Sequence, residues 1–234
     1  MVAAFAESDR HPAPRLIVLG RQGAGKGTQC ARLADRLEVP HLSTGDLFRA
    51  EMAAGSHLGA VVERFVGAGD LVPDDIVLDV VAARLGDKIQ RSRGYLLDGF
   101  PRTEPQAQAL FEVLGADAAK LAVEIDVSAE AVIPRLASRR ICVECGTVTN
   151  LHTESPTGRC PVCRGFLERR ADDHPDAISR RLALYDEQAA PLFGWLRAQG
   201  LLITVDGLGD PDEVHERVVQ AVVERVPDLR VLCC

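Results

Sequence analysis

The densest chemistry in the chain lies in Gly20-Arg21-Gln22-Gly23-Ala24-Gly25-Lys26-Gly27-Thr28-Gln29, reached from the apolar run Leu16-Ile17-Val18-Leu19. A strand that ends in a glycine-rich turn and opens into a helix leaves backbone N–H groups unpaired at the helix start, where the helix dipole also favours negative charge. Such a spot suits a phosphate. Residues Gly23, Ala24, Gly25, Lys26, Gly27 and Thr28 form the cradle: glycine lets the backbone turn and come close to phosphate oxygens, and Lys26 adds a full charge that can follow the β/γ phosphates. The match to GxxxxGK is complete, but Gly27 stands where Ser or Thr usually follows the Lys, so Thr28 is not simply given the Mg²⁺-ligand role.

A second cluster is Cys142-Val143-Glu144-Cys145-Gly146 and Cys160-Pro161-Val162-Cys163-Arg164-Gly165, two CxxC pairs separated by fourteen residues. Two such knuckles can bring four thiolates to one tetrahedral centre, with Zn²⁺ the first expectation; iron and a pair of disulfides are the competing readings. Four Cys ligands fill a coordination sphere, so the metal is read as structural, supplying folding free energy to a segment too small and polar to bury its own core. Of the seven cysteines, Cys30, Cys233 and Cys234 have no motif around them, and Cys30 reads as a small apolar residue on the first helix.

Arg49, Arg102, Arg135, Arg139, Arg170 and Arg181 fall next to strand ends or segment borders. Any one of them alone reads as a solvated charge, but their placement around one phosphate loop suits phosphoryl transfer, where charge on the moving group is met by prearranged cations. A phosphate acceptor is already ionised and needs no general base. Accordingly no His stands in a catalytic motif, and His41, His57 and His174 are expected on loops or surface, without a role.

These residues must be held by a framework, and five short apolar runs supply it: Leu16 to Leu19, Val39 to Leu42, Tyr95 to Leu97, Leu121 to Ile125 and Leu201 to Val205, with helical stretches between. That rhythm predicts a parallel sheet covered on both faces, with ligands beyond the carboxyl ends of the strands. Two segments interrupt it. Thr44 to Pro73 is helical by pattern, broken at Gly55 and at Gly67-Ala68-Gly69, and Arg139 to about Arg170 is polar and carries the four cysteines. A helix is expected from Asp172-Asp173-His174-Pro175, kinked at Pro191. At 234 residues, with 47% apolar and 26% charged residues, the chain suits one α/β core with outgrowths. The formal net charge of −7 argues against general affinity for nucleic acid or anionic membrane. Met1 to Pro14 carries Glu7 and Asp9 and no sustained apolar run, so neither a signal peptide nor a membrane span is expected there, and a reducing cytoplasm is the default compartment.

GRQGAGKGTQ, HLSTGDLFRA, GDLVPDD, GYLLDGFPRTEPQAQ, LASRR, the paired CxxC segment and RRADDHPDAISRRL follow one another from about Leu16 to Asp206. In that order they resemble adenylate kinases of the long-lid, zinc-bearing type, within the nucleoside monophosphate kinases. The resemblance implies a P-loop NTPase-type core with a five-stranded parallel sheet flanked by helices, a helical AMP-binding insert and a zinc-ribbon-like lid insert. It divides the chain into a flexible extension at 1–14, a core at 15–43, 74–138 and 171–227, an AMP-binding insert at 44–73, a lid at 139–170 and a tail at 228–234. It implies reversible transfer from ATP to AMP, giving two ADP, with Mg²⁺ bound to ATP, a structural Zn²⁺, and a lid that closes over ATP. Small nucleotides would be the partners, without nucleic acid or membrane, and the protein would be a monomer.

By the same resemblance Gly23 to Thr28, Arg139, Val148, Thr149 and Gly209 would hold ATP. Thr44, Arg49, Asp70, Leu71, Val72, Gly99, Phe100, Pro101, Arg102, Gln106, Arg170 and Arg181 would bind AMP. Lys26, Arg102, Arg135, Arg139, Arg170 and Arg181 would stabilise the transferred group. Asp98 would hold Mg²⁺ through water, while Asp172 and Asp173 would orient lid arginines. Gln106 also stands three residues after Thr103, the spacing of a helix cap. The chain departs from the family pattern in having Arg21-Gln22 where Pro is usual at the second place, and Val148-Thr149 where an aromatic commonly sits second. Altered nucleotide affinity and a looser donor-base preference are therefore expected. The alternatives are another nucleoside monophosphate kinase, using UMP or CMP as acceptor or GTP as donor, and a non-catalytic zinc-ribbon protein binding nucleotides or nucleic acid.

Overall fold

A computed structural model of the chain describes residues 13–89, 94–115, 118–151, 157–170, 172–227 and 229. Apart from Ala13, Pro14 and Leu229, the two terminal extensions expected from the sequence lie outside the described residues, as do Cys233 and Cys234.

Each of the five apolar runs is a strand: β1 (Arg15–Leu19), β2 (His41–Ser43), β3 (Tyr95–Asp98), β4 (Leu121–Asp126) and β8 (Leu202–Asp206). They form one sheet in the order β2-β3-β1-β4-β8, every pairing parallel. Alternation of side chains across β1 divides the core into two layers. Leu16 and Val18 pack with Cys30, Leu33 and Leu37 of α1 (Lys26–Leu37) and Val214, Val218 and Val222 of α8 (Pro211–Arg225). Ile17 and Leu19 face the other way, into a layer with α4 (Asp74–Ile89), α5 (Glu104–Leu114) and α7 (Pro175–Ala198). Leu16, Ile17 and Val18 are fully buried, which stabilises the fold by about 1.5–3 kcal/mol each.

Helix starts follow the chemistry of their first residues. Ser43 accepts from the Asp46 N–H, Ser56 from Gly59, Thr103 from Gln106 and Ser128 from Ala131, beginning α2 (Thr44–Ala53), α3 (His57–Ala68), α5 and α6 (Ala129–Ser138). Asp210 and Glu213 make a full capping box on α8. The first interruption of the sheet rhythm is thus two helices, turning at Gly55 as expected. Gly67 does not break α3: the helix runs through it and ends at Gly69, whose φ of 79° supplies the left-handed cap. α7 is continuous from Pro175 to Ala198, with Pro191 inside it.

The second interruption is a small antiparallel sheet of β5 (Arg139–Cys142), β6 (Val148–Asn150) and β7 (Leu167–Glu168), ordered β6-β5-β7. It begins where α6 ends and returns to α7, so both of its ends lie at the carboxyl edge of the main sheet.

The α2–α3 joint is the tightest point of the first insert. A Cβ on Gly59 would lie 2.2 Å from the Glu51 carbonyl oxygen and 2.8 Å from the Met52 Cα, both backbone atoms. Gly59→Ala is therefore expected to push the two helices apart and cost about 1–3 kcal/mol of stability, a loss that thermal unfolding of the variant beside wild type measures.

Candidate active site

Beyond the carboxyl ends of β1, β2 and β3 lies a cavity of about 1130 Å³. The phosphate loop, the start of α2, Asp70 to Val72, Asp98 to Arg102, the lid strands β5 and β6, α7, Gly207, Gly209 and Asp210 all border it. The residues expected from the sequence to bind nucleotide converge here, from Gly23 to Thr28 on one wall to Thr44, Arg49, Gln106, Arg135, Arg139, Val148, Thr149, Arg170, Arg181 and Gly209 on the others.

The loop leaves β1 through Gly20, whose φ is +142° and whose Cβ would lie 2.5 Å from the Ile125 carbonyl oxygen, so only glycine lets β1 and β4 stay paired there. Gly25, in the left-handed region at φ 95°, starts α1 without a side-chain cap, leaving the helix N–H groups to whatever sits in the loop. Lys26 Nζ donates to the Gly20 and Arg21 carbonyl oxygens at 2.7 and 2.8 Å. Desolvation pulls this ammonium down to about 8, with Arg102 and Arg139 acting in the same direction and Asp98 against it.

The two unusual loop residues part ways. Arg21 turns out of the cavity, donating to Asp186 at 2.8 Å and to the Val127 carbonyl at 3.0 Å, 5.1 Å above the Tyr185 ring; its charge ties the loop to α7 and β4 and is not aimed at the cradle. Gln22 stays on the cavity wall, donating from Nε2 to Asp173 Oδ1 at 3.1 Å, while its Oε1 is buried and has no partner among the described residues.

The arginines approach from three sides, and two buried carboxylates hold them. Asp173 takes a bidentate grip from Arg139 at 2.7 and 2.5 Å, which with Gln22 joins the lid border to the phosphate loop. Asp172 pairs with Arg181 at 2.9 Å and lies 3.7 Å from Arg49. Although burial raises its pKa, Arg181 and Arg49 win and hold the Asp172 carboxyl below its ordinary 3.8. Arg49 also pairs with Asp46 at 2.5 Å, over the bare face of Gly45. Two other guanidiniums have less support. Arg102 is open to the cleft yet ringed by protein, and desolvation followed by Arg181 draws it down to about 10; desolvation and Arg49 do the same for Arg170. Arg170 Nε is buried and without a hydrogen-bond partner among the described residues. Crowded cations with spare donors make a receptor for a polyanion.

Asp98 ends β3 on the cavity wall, 9% exposed, with its Oδ2 3.2 Å from His41 Nε2. His41 thus departs from the expectation of a loop or surface position: it opens β2 and borders the cavity. His174 caps α7 and meets the Gly67 carbonyl at 3.2 Å. Gln106 does not complete a capping box on α5: its Oε1 accepts from the Arg102 N–H at 2.8 Å, one residue before the Thr103 cap, and its Nε2 donates to Asp74 at 2.6 Å, while the residue lines the cavity. On β6, Val148 is exposed and Thr149 buried. Tyr185, Gln188 and Leu192 line the cavity from α7 and were not anticipated, although their i, i+3, i+7 spacing on one helix face was available in the sequence.

In the lid the four thiols converge, all within 4.8 Å of one another. Cys142–Cys163 and Cys145–Cys163 are 3.4 Å apart and Cys145–Cys160 3.6 Å. These are not disulfides, which need about 2.05 Å. They approach the edge of a tetrahedron with metal–sulfur bonds of 2.3 Å, about 3.8 Å. The donor set therefore fits Zn²⁺, and the two-disulfide reading falls.

A strand running into a glycine cradle at the carboxyl edge of a parallel sheet, with cations closing over it, defines a P-loop nucleotide-binding protein. The relatives narrow that class: the family model of adenylate kinase matches residues 18–201. The chain is 42% identical to an adenylate kinase of Thermosipho melanesiensis, over 88% of this chain and 98% of that one. It is 41% identical to one of Salinispora tropica, over 89% and 97% of the two chains, and 42% identical to one of Acidothermus cellulolyticus, over 89% and 97%. The chain belongs to the adenylate kinase family. Nothing in these matches points to the UMP, CMP or GTP alternatives or to a nucleic-acid binder.

Asp173 carries the junction of loop and lid with a side chain that is 0% exposed. Asp173→Asn leaves Arg139 uncompensated and is expected to cost about 3 kcal/mol, seen as a fall in Tm of about 6–12 °C by differential scanning calorimetry.

Proposed function

We propose that this protein is an adenylate kinase that moves the terminal phosphoryl group of ATP onto AMP, giving two molecules of ADP. The observation that carries the reading is one cavity whose walls bring a phosphate loop and its Lys26 together with Arg102, Arg139, Arg170 and Arg181. Two nucleotides would lie end to end there. The cradle of Gly23 to Thr28, with Arg139, Val148, Thr149 and Gly209, would take ATP. Thr44, Arg49, Asp70 to Val72, Gly99 to Arg102, Gln106, Arg170 and Arg181 would take AMP. Residues 15–43, 74–138 and 171–227 would be the fixed core, 44–73 the AMP insert and 139–170 the lid, with 1–14 and 228–234 as terminal extensions.

The residues' work is positioning and charge. Lys26, on its way from the Gly20 and Arg21 carbonyls to a phosphate oxygen, would regain a full charge as the anion raises its pKa. Arg102 and Arg170, already short of counter-charge, would meet the equatorial oxygens of the group in flight. Arg135, Arg139 and Arg181 would complete the ring as the lid closes and water is excluded, so that ATP is not spent on hydrolysis. No base is needed, since the AMP phosphate is ionised near neutral pH. Asp98, a carboxylate at the lip of the loop facing bare Gly27, is a hard-oxygen donor of the kind Mg²⁺ takes through water. Mg²⁺, bound with ATP, would neutralise its β and γ oxygens. Zn²⁺ on Cys142, Cys145, Cys160 and Cys163 would fold the lid and take no part in transfer.

We also read the protein as a cytoplasmic monomer whose partners are ATP, AMP and ADP. The acidic charge supports the exclusion of nucleic acid, and among the described residues no helix is long and apolar enough to cross a membrane.

Two measurements test this reading. In the free protein Lys26 loses its charge as pH rises through about 8, so kcat/KM for ATP should decline above that value. Lys26→Met should lower transfer about a thousandfold with the fold intact and abolish that limb; near-normal ADP formation in a coupled assay refutes the assignment. Chelating the lid metal should depress Tm far more than the rate measured in the cold, whereas parallel loss of both points to a metal that takes part in the chemistry.

A further inference from the structure

Beneath the phosphate loop two side chains that phosphoryl transfer does not use, Cys30 and His41, meet one that it does, Asp98. Cys30, fully buried on α1, His41 at the start of β2 and Asp98 at the end of β3 bring a thiol, an imidazole nitrogen and a carboxylate oxygen within 4.8 Å of one another. Three separate elements supply them: α1 continues from the loop so that Cys30 stands one turn beyond Lys26, and β2 and β3 are adjacent strands with Ser43 opposite Asp98. His41 and Asp98 border the cavity, and Cys30 lies just behind that wall.

The donor set is selective. Thiolate, imidazole and carboxylate together are the ligands of Zn²⁺ and its borderline neighbours, and three protein ligands leave one position for water or another oxygen. With metal–ligand bonds of about 2.0–2.3 Å, tetrahedral edges between these atoms are about 3.2–3.6 Å. The observed 3.2 Å between His41 Nε2 and Asp98 Oδ2 is already such an edge. Mg²⁺, which takes oxygen ligands and gives up water reluctantly, gains nothing from a thiol. Lys26, the nearest cation of the loop, holds its ammonium on the Gly20 and Arg21 carbonyls. Burial keeps the Cys30 thiol protonated, so binding replaces its S–H proton, which passes to solvent.

We propose that Cys30, His41 and Asp98 form a second metal site, for a divalent cation of the Zn²⁺ class, whose occupation takes Asp98 away from the nucleotide cleft and stops transfer. The site is separate from the four lid cysteines. Its inhibitory consequence rests on the adenylate kinase reading, whereas metal binding itself does not.

The test uses the full chain purified with its lid metal in place. Free Zn²⁺ is set with a metal buffer at fixed Mg²⁺, ATP and AMP, and the zinc bound per chain is counted by native mass spectrometry alongside the rate of ADP formation. Wild type should carry one more zinc than Cys30→Ala, and than Cys30→Val, which fills the same space should alanine loosen α1; circular dichroism checks that both are folded. His41→Gln should lose the same additional zinc. In the Cys30 variants the basal rate should persist while the half-inhibiting free Zn²⁺ rises about tenfold or more. Equal zinc counts in wild type and folded Cys30 variants overturn the site, and an additional zinc that leaves the wild-type rate untouched overturns its inhibitory role. A wild type that binds the additional zinc but forms no ADP under any condition would instead uphold the site and refute the enzymatic reading.

Discussion

Like charges forced together are the constraint on which this molecule turns. Lys26, Arg49, Arg102, Arg139, Arg170 and Arg181 border one cavity, and desolvation first, with neighbouring cations adding to it, draws Lys26 down to about 8 and Arg102 and Arg170 to about 10. Asp172 and Asp173 keep the arrangement from flying apart, each gripping an arginine from a different element. Both carboxylates are buried, Asp172 on the cavity wall and Asp173 beneath Arg139. Preorganised charge of this kind costs stability in the empty protein and lowers the reorganisation needed when the anion arrives.

The sheet makes that crowding achievable. Parallel strands put all their carboxyl ends on one side, and short connections there become the walls of a single cleft. Leu16, Ile17 and Val18, buried on both faces of β1, fix the position from which the phosphate loop springs. The two inserts then grow from the same edge, after β2 and after α6, and can bring Arg49 and Arg139 over the loop without disturbing either core layer.

Much of this was legible in the residues. The five apolar runs marked five strands because a doubly covered parallel sheet leaves a continuous hydrophobic signature, and the glycine loop and cysteine pairs announced themselves by spacing. What escaped was contact between distant segments. Nothing in the surroundings of His41 says that β2 will lie beside β3 and deliver its ring to Asp98. The outward turn of Arg21 is equally hidden, since Asp186 is 165 positions away. Gly67 looked like a break because glycine is a poor helix former, yet α3 continued until Gly69 offered a left-handed cap. Local rules mark out elements; pairings across the sheet are decided only when the whole chain condenses.

The small antiparallel sheet that carries the cysteines leaves the core at Arg139 and rejoins it near Asp173, and those two residues grip one another. The module therefore hangs from a single knot, with its outgoing and returning chains side by side. Changes farther out along it, in length or in the ligands that cross-link it, need not propagate inward, because the knot lies at its root, between Arg139 and the buried Asp173. The ribbon is thus attached as a part whose outer end can change while its root stays fixed.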